Sequence, residues 1–154
     1  MHCKQNTHQI WMEKAIKIAK AVKDEVPVCA LIIKDNNLIS TAVNKIEKLH
    51  DATAHAEILA IRKATKLLGD WRLNNCTLYT TLEPCPMCAG AILNSRISKV
   101  VFGAYDINLG ACGTVFNLFN ELRKEKHVEI IGGVMEKENS ELLKDFFKRK
   151  RKLT

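Results

Sequence analysis

No apolar run in the sequence approaches the roughly 20 residues needed to span a bilayer as a helix, the longest being Val26 to Ile33. The opening Met1-His2-Cys3-Lys4-Gln5-Asn6 has no apolar segment of the secretory kind, so the expectation is a soluble, cytoplasmic protein. There is no internal repeat, no low-complexity stretch and no Pro/Gly/Ser-rich linker. Those absences exclude a repeat array and a chain of tethered modules, and predict one domain over residues 1–154. With 47% hydrophobic and 27% charged residues the chain can bury a core, which excludes a disordered tail protein. Six cysteines without an export signal are expected as thiols that are buried, metal-bound or catalytic, not as disulfides.

Acidic residues are outnumbered, 17 against 24 Lys and Arg, for a net charge of +7. Most of that excess sits in residues 144–152, Lys-Asp-Phe-Phe-Lys-Arg-Lys-Arg-Lys, with six bases and one acid. Lys148, Arg149 and Arg151 suit contact with phosphates, and Phe146 and Phe147 suit base stacking, so the block is a candidate RNA-binding element. The same composition also describes a solvated helix end, where cations complement the dipole.

Trp11, Ala15, Ile18, Ala19 and Val22 recur at helical spacing over residues 8–23, with Thr7 as N-cap. Val28–Ile33 and Leu38–Val43 flank Asp35-Asn36-Asn37, the pattern of a hairpin. A second helix spans residues 54–68 and ends at Gly69. Thr77–Thr81 reads as a strand, Pro86–Asn94 as a helix and Lys99–Phe102 as a strand. Residues 103–125 are broken by Gly110 and Gly113, with Val115, Phe116, Leu118, Phe119 and Leu122 suggesting a short helix. Val128–Ile131 completes the strands, Gly132-Gly133 makes a turn, and Glu138–Arg151 forms a last helix with Leu142, Leu143 and Phe146 inward and Phe147 as a further inward candidate. This order predicts an α/β fold: a three-layer α/β/α sandwich with a five-stranded mixed sheet, mostly parallel after an antiparallel first hairpin.

Two segments carry chemistry, and both open helices: His55-Ala56-Glu57 and Pro84-Cys85-Pro86-Met87-Cys88. Cysteines three apart at a helix start turn their sulfurs to one side, where the positive end of the dipole favours thiolates. With His55 they offer an imidazole and two thiolates, a set that selects Zn2+ and leaves a fourth position for water, as catalytic zinc sites do. Glu57, two residues beyond His55, points elsewhere and is free to take a proton from that water and deliver it to a substrate. The combination fits hydrolytic deamination, and His-x-Glu with Pro-Cys-x-x-Cys is a signature of zinc nucleobase deaminases. A redox Cys pair, or a structural zinc completed by Cys76, Cys112, His50 or His127, is the competing reading of the thiols alone; none of those four stands in a second ligand motif. Cys3, Cys29, Cys76 and Cys112 are expected to be inert or buried.

The sequence resembles the bacterial tRNA-specific adenosine deaminases, which make inosine at the wobble position of the anticodon. The likeness runs through Trp11-Met12, Val26-Pro27-Val28, residues 50–57 (His-Asp-Ala-Thr-Ala-His-Ala-Glu) and residues 81–91 (Thr-Leu-Glu-Pro-Cys-Pro-Met-Cys-Ala-Gly-Ala). It continues in Ser95-Arg96-Ile97, Val100 to Asp106 and Leu142 to Phe147. The zinc motif alone would also admit cytosine, guanine and cytidine deaminases; Phe102-Gly103-Ala104-Tyr105-Asp106 and the basic Phe-Phe helix favour the tRNA branch. The resemblance implies a cytidine deaminase-like fold, His55, Cys85 and Cys88 on zinc, and Glu57 as proton shuttle. It further implies that Asn44 and the Ala54 N–H hold an everted base, that Asp106 helps to hold the anticodon loop, and that the protein is a homodimer acting on tRNA. Ala52, Cys29 and Ile107-Asn108-Leu109 depart from the family pattern, the last by lacking a lysine. The alternative is a free nucleobase or nucleoside deaminase acting on guanine or cytosine, which needs no basic terminal helix.

Overall fold

A computed structural model describes residues 2–122 and 127–153. Helix α1, His2–Lys20, starts earlier than Thr7, which lies inside it. Strands β1, Cys29–Lys34, and β2, Asn37–Val43, form the expected hairpin. Its two-residue turn uses Asp35 and Asn36 at φ 50° and 59°, the left-handed pair that suits the twist of paired strands and that Asp and Asn tolerate. A one-turn helix α2, Ile46–Leu49, occupies what the sequence presents as a polar loop. The buried Glu25 carboxylate accepts the N–H groups of Glu47 at 3.2 Å and Lys48 at 2.8 Å, supplying the cap that local sequence lacks.

Helix α3, Ala56–Leu68, ends at Gly69 with φ 69°, whose N–H donates to Thr65 O at 2.9 Å. It is followed by β3, Cys76–Leu82; α4, Pro86–Asn94; and β4, Lys99–Ala104. The short helix of the glycine-broken segment is α5, Leu118–Leu122, with Val115 and Phe116 outside it and exposed. Strand β5, Glu129–Ile131, and helix α6, Glu136–Lys152, complete the fold.

The sheet order is β2-β1-β3-β4-β5. Strand β1 pairs antiparallel with both β2 and β3, whereas β3-β4 and β4-β5 are parallel, so the sheet is mixed in equal parts and not mostly parallel. The crossover through α4 makes β3 and β4 parallel, while the hairpin inserts β1 antiparallel beside β3. Alternation along β1 directs Ala30 and Ile32 to a core shared with α3, α4 and α5, and Cys29, Leu31 and Ile33 to a second core beneath α1 and α6. Each large apolar side chain buried there stabilises the fold by roughly 1.5–3 kcal/mol, which holds both helical layers to the sheet. Among the described residues, no helix is long and apolar enough to cross a membrane.

Candidate active site

The carboxyl end of β3 runs through Glu83 and Pro84 into Cys85, the N-cap of α4. His55 is the N-cap of α3, held extended at φ −70° and ψ 151°, so two helix N-termini converge at one end of the sheet. Ligand pockets form at such carboxyl ends in open α/β sheets. His55 Nδ1 lies 3.7 Å from Cys85 Sγ and 3.5 Å from Cys88 Sγ. One donor atom from each residue falls within 4.8 Å of the others, and the trio can hold a metal ion. Cys76, Cys112, His50 and His127 are not part of this cluster, so the described residues bring no fourth protein ligand to it.

The electrostatics favour an anionic sulfur at Cys85 and a protonated partner at Cys88. A hydrogen bond from Cys88 holds the Cys85 thiol down to about 4, and the bond to Cys85 with burial pushes Cys88 up. The bond to Cys85 raises His55 above its ordinary value, against the effect of its burial. Glu57 is 4% exposed, and burial lifts its carboxyl above the usual carboxylate range although Cys88 donates to it. A carboxyl that retains a proton more readily than usual, next to a ligand cluster, is suited to passing protons in both directions.

The other expected contacts divide. Asn44 is buried just beyond β2, where its backbone N–H donates to Val28 O at 3.2 Å. The Ala54 N–H is already donated to Asp51 O at 3.1 Å, so it reaches a base only by sharing or exchanging that bond. The Asp106 carboxylate accepts from the N–H groups of Asn108 at 2.9 Å and Leu109 at 3.1 Å, which makes it the organiser of its own loop. Phe146 corrects the reading of the terminal aromatics: it is 7% exposed, with Lys150 Nζ 5.9 Å from its ring centre, and cannot stack on a base. Helical periodicity places Asn139, Leu142, Leu143 and Phe146 on the inner face and leaves Phe147 exposed. Lys148, Arg149 and Arg151 are exposed.

Cys29 and Cys76 are buried free thiols, as expected, and burial pushes Cys29 up to about 12. Cys112 is only half-buried, and its thiol is raised by burial and by the nearby Glu83, Glu57 and Cys85. The side chain of Cys3 lies outside the described residues. Two buried carboxylates escaped sequence reasoning: Glu25, which caps α2, and Glu83, which is 1% exposed and binds the 106–114 segment next to Pro84-Cys85. For Glu83 the only signal was an acidic residue directly before Pro84-Cys85, without a basic neighbour to explain it.

The chain matches the family described as MafB19-like deaminase over residues 6–151. It is 47% identical to the tRNA-specific adenosine deaminase of Bacillus subtilis, over 94% of this chain and 91% of that protein. The corresponding Aquifex aeolicus protein is 44% identical over 93% and 95%. A structure solved in work on A-to-I editing by tRNA:A34 deaminases at the wobble position superposes with a TM-score of 0.83 at 38% identity, covering 87% of this chain and 99% of that one. A guanine deaminase from Bacillus subtilis superposes less closely, with a TM-score of 0.61 at 35% identity over 78% of each chain. A likeness over nearly the whole chain carries more than a shared motif does, and on that breadth the chain belongs to the MafB19-like deaminases and, among known proteins, to the tRNA-specific adenosine deaminases.

Proposed function

We propose that this enzyme converts adenosine to inosine at the wobble position of tRNA anticodons by zinc-dependent hydrolytic deamination. The reading is carried by the buried Glu57 carboxyl beside the His55, Cys85 and Cys88 cluster, in a chain whose relatives are similar over nearly its whole length. The donor chemistry favours zinc: two thiolates and an imidazole are soft ligands. Zn–S bonds of about 2.3 Å and a Zn–N bond of about 2.0 Å at tetrahedral angles imply an S···N separation of about 3.5 Å. The separations of 3.5 Å and 3.7 Å fit that requirement.

Zinc held there supplies an activated water at neutral pH, with a pKa near 7. Glu57 takes a proton from the attacking water and gives it to the ring nitrogen next to the reacting carbon. Once the C–O bond has formed, Glu57 takes the second proton from the added hydroxyl and delivers it to the exocyclic amine, so that the C–N bond breaks and ammonia leaves with inosine. Asn44 can both donate to and accept from the edge of the base, and the burial of its amide gives that recognition its value. A base in a single-stranded anticodon loop is already partly unstacked and everts at low cost.

The basic end of α6 is the proposed contact for the tRNA backbone, with Phe147 as the remaining stacking surface. Lys23, Arg149 and Lys150 line a cleft of about 300 Å3 over Phe146, joining the helix end to the segment that leads into β1 and the site. A homodimer is also proposed, supported by the exposed apolar side chains of Val115 and Phe116, which lie just beyond the 106–114 segment. A wobble-editing enzyme would work in the cytoplasm. Comparing kcat/KM on an anticodon stem-loop with that on free guanine and cytosine tests the substrate: preference for the stem-loop supports the proposal, and turnover of a free base alone overturns it.

A further inference from the structure

Glu83 stands between the end of β3 and Cys85, and its carboxylate takes no part in the proton transfers above. Its Oε1 accepts the Asp106 N–H at 3.2 Å and the Thr114 hydroxyl, while Oε2 accepts the N–H groups of Cys112 at 3.0 Å and Thr114 at 3.3 Å. One buried carboxylate thus gathers both ends of the 106–114 segment. The surrounding backbone is tied at the same place: Glu83 N–H donates to Ala104 O at 2.8 Å and Ala111 N–H to Pro84 O at 2.9 Å. Gly110 closes the fit, since a Cβ there would come within 2.5 Å of both Glu83 Cδ and Asp106 O. The segment runs alongside Pro84, one residue from the ligand cluster, and presents the 81% exposed Ile107 to solvent.

We infer that Glu83 is a positioning residue for RNA binding: it fixes the 106–114 segment as a preformed wall beside the site, against which the anticodon loop docks. This rests on the tRNA reading above. A carboxylate suits the task because all its lone pairs accept, so four donors converge on one side chain, and a segment ordered beforehand costs less to organise when substrate arrives. A glutamine has one oxygen fewer to offer and turns an N–H2 toward some of the same donors.

The test uses zinc-loaded full-length protein, with Glu83→Gln and the milder Thr114→Val, which removes only the hydroxyl donor. Steady-state kinetics on an anticodon stem-loop should show KM raised by about tenfold in Glu83→Gln, the loss of one charge-assisted hydrogen bond. KM should rise by less in Thr114→Val, and in both variants kcat should fall less than KM rises. Zinc content should match the wild type, and hydrogen exchange at the Cys112 amide should quicken in Glu83→Gln. Quickened exchange with unchanged KM in both variants would overturn the inference, as would loss of zinc or a fall in kcat alone. Absence of wild-type turnover on the stem-loop would overturn the tRNA reading and this inference with it, a result distinguishable from failure of the variants alone.

Discussion

Glu57 combines two properties that are individually common: it opens a helix, where a carboxylate complements the dipole, and it is 4% exposed, where a carboxylate is poorly solvated. A capping role alone would leave the side chain in water. Glu57→Ala is therefore expected to lower deamination by at least about 100-fold, the usual weight of a general acid–base, while zinc stays bound at the wild-type stoichiometry. Metal analysis beside an ammonia-release assay checks both halves. Cys88→Ala should instead lose the metal, because the remaining imidazole and thiolate are too few ligands, and activity should fall with the zinc content.

At the scale of elements, α6 separates two neighbouring aromatics by their place on the helix. Phe146→Ala removes a 7% exposed ring and should lower stability by about 3 kcal/mol, read by denaturant unfolding. Phe147→Ala should leave stability within about 0.5 kcal/mol and weaken stem-loop binding. Helix α1 carries a different dependence. His8 Nδ1 lies 2.7 Å from the Tyr79 hydroxyl, which burial holds up to about 12 and so keeps neutral. Burial and Lys99 lower His8 from 6.5, against a smaller opposing effect of Glu129. The unfolded chain therefore binds the proton first as pH falls below 6.5, and stability should decline from there until His8 protonates in the folded state too. Melting temperature against pH should show a shallower acid decline in His8→Gln than in the wild type.

Helix α3 was legible from its single apolar face and its Gly69 stop, and the β1–β2 hairpin from the Asp35-Asn36 turn between two β-branched, apolar runs. Helix α2 was not, because its cap is Glu25, a residue distant in sequence, and the antiparallel docking of β1 on β3 leaves no local signal. The metal cluster and Glu57 could be read because their chemistry demands specific residue types at fixed spacing. Glu83 could not, since its partners are mainly backbone N–H groups, which nearly every residue possesses. Phe146 and Phe147 were readable as an aromatic pair, but the register of α6 against the sheet decides which one is buried.

For the molecule as a whole, the net charge of +7 is concentrated at one helix end, and Lys23 extends it toward the segment entering β1. Deleting residues 148–154 should weaken stem-loop binding and flatten its salt dependence, by about 0.7 in the slope of log K against log salt for each phosphate that is no longer neutralised. Turnover of any free base should be little changed. The central claim is that this ligand cluster and Glu57 deaminate a base presented by an RNA loop. The most direct test is inosine formation, read by mass spectrometry, on an anticodon stem-loop with adenosine at the wobble position, comparing zinc-loaded wild type with zinc-loaded Glu57→Ala. The account predicts inosine and an equivalent of ammonia from the wild type alone. Equal inosine from the Glu57→Ala variant, or none from a wild type that deaminates guanine, would contradict it.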